Sequence, residues 1–199
     1  MRHFILLCLS LLASTTTLGA GFGILVGEKS HLDFVSKQMG VPVNGKFQRF
    51  QAELNFDPLH PGAARGNVVV ELASIDTGSA EANDEVKGKD WFFVKNFPLA
   101  RFEIRSVKAL GGNRFEIRGP LLIRNVTRDI VVAATFREEN GLGLFAGTYV
   151  LKRLDFGIGA GEWGDPDTVA NEVEVRFTLA LRPLPPARAA TSASPPKKK

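Results

Sequence analysis

Apolar and polar residues alternate with a period of two along most of the chain between residues 30 and 182. Ser30–Phe34 alternates, and Asn67–Ile75 places Val68, Val70 and Leu72 on one face. Ala100–Val107 turns Phe102 and Ile104 one way and Arg101, Glu103 and Arg105 the other. Arg114–Arg124 sets Phe115, Ile117, Leu121 and Ile123 against Arg114, Glu116, Arg118 and Arg124. Asp129–Arg137 repeats the pattern with Ile130, Val132, Ala134 and Phe136, and Leu144–Arg153 follows it. Glu172–Leu181 completes the series with Val173, Val175, Phe177 and Leu179. Phe47–Phe56 also alternates, but Phe47 and Phe50 are out of phase, which predicts a bulge. Successive strand residues point to opposite faces, so these eight segments read as strands with one buried face. That pattern argues an antiparallel sheet.

Gly111-Gly-Asn113 and Asn140-Gly141 are hairpin turn signals between neighbouring segments. Only Ser79–Phe93 looks helical: it is polar and charged, then bulky at Trp91-Phe-Phe93, and ends before Asn96-Phe-Pro98. Eight strands and one helical insertion fit either a sandwich or a barrel, and alternation alone does not choose between them. A closed barrel would remove edge strands and leave room for one ligand.

The ends differ from the middle. Arg2, the apolar run Phe4–Leu12 and the small residues to Ala20 read as a secretory signal peptide over 1–20. The run is shorter than the roughly 20 residues a membrane span needs. Cys8, the only cysteine, lies inside it, so the mature chain is expected to hold no thiol or disulfide. Residues 183–199 are rich in Pro, Ala and Lys and read as a disordered tail whose lysines could touch an anionic membrane surface transiently. Arg2, Arg188 and Lys197–Lys199 have no acidic neighbours at either end. Without them the formal +4 falls to about −1 over residues 21–182, which is no nucleic-acid footprint.

Candidate chemistry is sparse. Gly159-Ala-Gly-Glu-Trp-Gly164 spells a dinucleotide motif, but Asp165-Pro166 follows where a helix should begin. Asp155-Phe-Gly157 matches a kinase triplet without any accompanying kinase motif. His31 and His60 lie far apart in the sequence, so no metal site is expected. Ser30, His31 and Asp33 share a strand, where neighbours face opposite ways and cannot form a relay. No catalytic group and no cofactor are expected.

Several segments in order resemble the YceI-like family of periplasmic, lipocalin-like polyisoprenoid-binding proteins. They are Ser30-x-Leu-x-Phe34, Lys37-Gln-Met-Gly-Val-Pro-Val-Asn-Gly-Lys-Phe47, Phe56-Asp-Pro58 and Ser74-Ile-Asp-Thr-Gly78. Trp91-Phe-Phe-Val-Lys-Asn-Phe-Pro98, Gly119–Thr127, Arg153-Leu-Asp-Phe-Gly157 and Asn171-Glu-Val-Glu-Val175 continue the likeness. Pro120 departs from the family's usual small polar residue and suggests an edge or bulge there. The Asn125-Val-Thr127 sequon is expected to mark a turn between strands rather than a glycan.

The resemblance implies an all-β fold: an extended antiparallel eight-stranded lipocalin-like barrel with one short helical insertion, spanning 21–182. It also implies a non-enzymatic periplasmic carrier for an isoprenoid amphiphile such as a quinone or polyprenyl lipid. A membrane b-type cytochrome is the implied partner, from the Gln38-Met39-Gly40 and Gly161-Glu-Trp163 patterns. A chain of roughly forty carbons gains ~0.8 kcal/mol per CH₂ on burial, past ~30 kcal/mol in all. That exceeds the ~18–21 kcal/mol at which affinities saturate, so polar contacts at the mouth are needed only for selectivity. Candidate cavity residues are Phe34, Met39, Phe47, Phe50, Phe92, Phe93, Phe102, Phe115, Phe136, Phe156 and Trp163, with Lys37, Gln38, Arg153 and Asp155 at the mouth. The competing expectation is a structural or stress-related domain whose barrel is a filled core.

Overall fold

A computed structural model describes residues 21–185; the expected signal peptide, and the expected tail from residue 186 on, lie outside the described residues. The strands are β1 (Phe22–Leu25), β2 (His31–Gln38), β3 (Val41–Phe47), β4 (Phe50–Phe56), β5 (Arg65–Glu71) and β6 (Ile75–Asp76). Then follow the helix α1 (Ala80–Lys87), β7 (Leu99–Ile104), β8 (Ser106–Gly111), β9 (Arg114–Ile123), β10 (Val126–Glu139), β11 (Leu142–Lys152) and β12 (Glu172–Pro183). Hydrogen-bonded neighbours run β1–β4–β5–β7–β9–β10–β11–β12, and β12 pairs back to β1. Every paired strand is antiparallel, as the alternation implies, and the result is a closed eight-stranded barrel, as the resemblance implies.

The ring closes fully at only one end. There β1 pairs on one side with β12 and on the other with β4. Towards the opposite end β2 replaces β1 beside β12 and carries β3 and β6 with it. Ser30 spans the break between β1 and β2. Its Oγ donates to Val26 O at 2.8 Å and accepts from Ala180 N–H at 3.0 Å, supplying a link the ladder lacks there. The chain from β6 to β7, which includes α1, crosses this second end. Ser79 caps α1 by accepting from Ala82 N–H at 3.3 Å.

Three segments differ from expectation. Phe47–Phe56 is not one bulged strand but two strands that part at Gln48-Arg49. The corner is held by Ser74, which is buried: its Oγ accepts from Arg49 N–H at 3.0 Å and donates to Glu71 O at 2.6 Å. The expected helix over Ser79–Phe93 ends at Lys87, and Trp91-Phe-Phe93 lies in the turns beyond it. The last strand runs through Pro183, where Leu184 N–H donates to Gly21 O at 2.6 Å, just past the expected boundary at residue 182. Pro120 stands where β9 changes partner from β8 to β7, so its missing N–H interrupts no regular ladder. Arg124 and Asn125 both have positive φ and form the β9–β10 turn expected at the sequon.

The fully closed end is plugged by aromatic rings. Phe56 lies 4.6 Å from Phe145, 4.9 Å from Phe136 and 5.4 Å from Phe115, centroid to centroid. Phe22 adds a ring 5.4 Å from Phe136. All five are buried. Phe115 and Phe136, expected in the cavity wall, therefore belong to the plug, packed ring against ring. Removing the central ring by Phe56→Ala is expected to cost about 3–5 kcal/mol, as buried Phe truncations do. Urea unfolding at equilibrium measures this, and a loss below about 1 kcal/mol would mean the plug is not packed as described.

Candidate ligand-binding cavity

Above the plug the interior opens into two chambers. A lower chamber of about 200 Å³ has walls that include Phe50, Val68, Val70, Phe102, Ile117 and Leu121, with Phe56 and Phe145 as its floor. An upper chamber of about 450 Å³ lies between α1 and the ends of β2, β3, β11 and β12. Phe47, Phe92, Leu151 and Val175 line both, so they form the junction. The inner face of β2 shows how polarity changes with height. Leu32 faces the lower chamber, Phe34 the upper, and Ser36 and Gln38 follow toward the rim. Gly45 on β3 is needed at this wall, since a Cβ there would fall 2.2 Å from the Phe34 ring.

One buried charge shapes the upper chamber. Arg153 is 1% exposed, and no carboxylate among the described residues pairs with it. Its guanidinium instead donates to five backbone carbonyls: Nε to Ala170 at 3.1 Å, Nη1 to Ile158 at 2.8 Å and Gly159 at 2.7 Å, and Nη2 to Trp163 and Val169 at 2.6 Å each. Those contacts use all five N–H donors of an arginine. Burial pulls its basicity below the ordinary range of arginine. The Trp91 ring lies 5.7 Å from the guanidinium carbon, and Trp163 lies 5.6 Å from Trp91. Gly159 adopts φ +67°, and a Cβ there would approach Arg153 Nη1 to 2.5 Å, so both backbone conformation and space demand glycine. Arg124 ties the same loop down from outside, donating to Gly157 O and, at 3.2 Å, to Lys89 O.

The expected site residues divide sharply. Phe34, Gln38, Arg153 and Trp163 line the upper chamber, Phe50 and Phe102 the lower, and Phe47 and Phe92 the junction. Phe156 is buried in packed core beside Leu72, Ile123 and Ile158. Phe93 meets Phe97 edge to face at 5.9 Å, away from both chambers. Met39 is 71% exposed on the β2–β3 turn, with φ +49°. Lys37 and Asp155 are exposed and line neither chamber, and Asp155 forms no ion pair with Arg153. The expected set omits Tyr149, Trp91 and the α1 residues Glu81 and Glu85, all of which line the chambers. For Tyr149 the available signal is its inward phase on β11; for the α1 residues it is their i, i+4 spacing. His60 pairs with Asp57 through a 2.8 Å contact on the surface. Among the described residues no group of His, Cys, Asp and Glu is arranged to hold a metal.

A closed antiparallel barrel around an apolar, partly open interior is the architecture of small-ligand binding proteins. This chain belongs to the YceI-like domain family, whose model matches residues 25–181. BcnA of Burkholderia cenocepacia shares 36% identity with it, over 78% of this chain and 98% of that one, with a TM-score of 0.77. A UPF0312 protein of Pseudomonas savastanoi pv. phaseolicola is 32% identical over 142 residues, covering 66% of this chain and 72% of the relative. The fold is also that of a polyisoprenoid-binding domain from Saccharophagus degradans implicated in plant cell wall breakdown. That likeness has a TM-score of 0.63 at 17% identity, over 84% of this chain and all of the other.

Arg153→Lys supplies three donors where five carbonyls now accept, leaving at least two of them unpartnered. The expected loss is about 2–6 kcal/mol, at roughly 1–3 kcal/mol per orphaned group. Urea unfolding reads it directly, and a change under about 1 kcal/mol would show that the carbonyls are satisfied some other way.

Proposed function

We propose that the protein is a non-enzymatic periplasmic carrier that holds an isoprenoid amphiphile, quinone or polyprenyl lipid, with its chain in the lower chamber and its head under α1. The carrying observation is the interior itself: apolar walls rising from the Phe56–Phe145 floor to the Phe47–Phe92 junction, then a chamber with polar atoms. Burying an alkyl chain there supplies affinity at ~0.8 kcal/mol per CH₂. The few polar groups above supply orientation. A filled-core domain would leave no space above its packed rings, whereas two chambers stand above the plug here. The shared fold with the polyisoprenoid-binding domain of Saccharophagus degradans supports the class of ligand. The charged, apolar and small-residue order of residues 1–20 supports export to the periplasm. Exchange with a membrane b-type cytochrome, which the resemblance implies, and transient surface contact through the basic tail, which its lysines suggest, complete the proposal.

Ligand binding to the folded state alone raises the unfolding midpoint by mass action. A quinone with an isoprenoid tail, added at about 100 times its Kd, stabilises by about 2.7 kcal/mol. For a chain of this size that is a rise of about 5–10 °C. Differential scanning calorimetry with graded quinone gives the curve. A midpoint indifferent to quinone and to polyprenyl lipid at all concentrations would dismiss the carrier reading.

A further inference from the structure

The two strands of the β2–β3 hairpin differ in polarity along one wall. On β2 the positions lining the upper chamber change from Phe34 to Ser36 and Gln38 toward the rim. Directly opposite them on β3 stand Gly45, Val43 and Val41, and the side chains of such pairs share one face of a sheet. Val43 lines the upper chamber. Val41, the next position out on that face, is 64% exposed. Met39, in the turn that joins the two strands, is exposed as well. An apolar track therefore leaves the chamber along β3 and ends in water at the hairpin tip. Gln38, Glu81 and Glu85 both line the chamber and are exposed, which places its mouth beside this tip.

Neither local preference nor packing accounts for Met39. Met39 and Gly40 have φ of +49° and +78°, so both central residues of the turn are left-handed. Two-residue hairpin turns of that kind favour Asn-Gly or Asp-Gly, and an exposed methionine gains no burial in exchange. The tip is nonetheless held in place. Met39 N–H donates to Thr168 O at 2.9 Å, Ala170 N–H donates to Lys37 O at 2.9 Å, and Gln38 bridges to Val169. These bonds join the hairpin to the loop whose carbonyls hold Arg153. The two apolar side chains are thus presented on a fixed support.

A carrier needs a phase that covers this track. An isoprenoid chain leaving the chamber through water would forfeit what its burial gains, so the mouth must meet lipid directly. The charges nearby indicate which lipid. Glu81 and Glu85 stand at the mouth, and Asp165 and Asp167 are exposed in the loop that accepts the Met39 N–H. Lys37 is the cation beside the tip. That balance offers anionic head groups no attraction, so contact rests on apolar insertion among neutral ones.

We propose that the β2–β3 tip, Met39 and Val41, inserts among the head groups of a neutral phospholipid bilayer, and that the amphiphile passes between membrane and chamber along β3. This rests on the carrier reading above and adds to it the surface through which the carrier loads and the partner that covers it. The test uses residues 21–199, which keep the described barrel and the basic tail. A double variant, Met39→Asn with Val41→Thr, removes the apolar tip while suiting the turn and the strand it alters. A long-tailed quinone is carried from donor to acceptor vesicles of phosphatidylcholine, and a three-isoprene quinone is titrated without vesicles. Transfer by the wild-type protein rises in proportion to vesicle concentration, as loading at a surface requires. The double variant transfers about tenfold more slowly, roughly the worth of one apolar side chain withdrawn from an apolar phase. It binds the three-isoprene quinone within about twofold of wild type, because neither altered residue lines a chamber. Met39→Leu, which stays apolar, keeps the wild-type transfer rate. An undiminished rate in the double variant, a rate independent of vesicle concentration, or contact confined to anionic vesicles would overturn the proposal while leaving the carrier reading standing. So would transfer that needs a membrane protein built into the vesicles. Failure of the wild-type protein to bind the three-isoprene quinone would overturn both.

Discussion

Arg153 brings a positive charge into the interior with no carboxylate of the described residues opposite it, and the upper half of the molecule is arranged around that charge. The segment from Ile158 to Ala170 forms no strand, so its inward carbonyls have no ladder to join. A guanidinium without a counter-ion and a loop with unpaired acceptors are each costly to bury. Together each satisfies the other. Lysine could not do this, because its three donors radiate from one nitrogen, whereas the planar fork of arginine reaches carbonyls on several loop segments at once. The glycines at 157, 159 and 161, all with positive φ, let the loop fold closely around it. The wall of the upper chamber, Trp163 included, follows from that arrangement.

The two ends of the barrel therefore solve the burial problem differently. At the fully closed end, rings fill the space and no side-chain polarity is needed. At the other, β2, β3 and β6 continue the sheet from β12 in place of β1, and a helix crosses in place of further strands. That exchange keeps the interior from collapsing, because the rows above the plug face α1 and the arginine loop across open space. Tight packing and an empty chamber are thus adjacent along the same strands.

Much of this is legible in the alternation of residues. Seven of the eight expected segments contribute ring strands; Ser30–Phe34 becomes β2, beside the ring, and the ring strand β1 is not among the expected segments. What alternation cannot convey is height. Phe50, Phe102, Phe115 and Phe136 all face inward, yet the first two line a chamber and the last two a plug. Period two specifies the face of a residue but not which residues meet it across the barrel. The corner at Gln48-Arg49 looks like a bulge for the same reason, since a change of partner strand leaves only a phase slip in the sequence. Arg153 and Asp155 look like a pair. The 3-10 turn that holds both buries one side chain and exposes the other. Tyr149 does not stand out because a lone aromatic at an inward phase looks like ordinary core.

The central claim is that the space above the phenylalanine plug exists to be occupied. Native mass spectrometry of the protein purified without detergent from its own host cells tests it most directly. The account predicts a complex carrying one apolar amphiphile per chain, released as a single lipid species on unfolding. Protein that arrives at the mass of its bare polypeptide, and stays there after incubation with the host's extracted lipids, would contradict it.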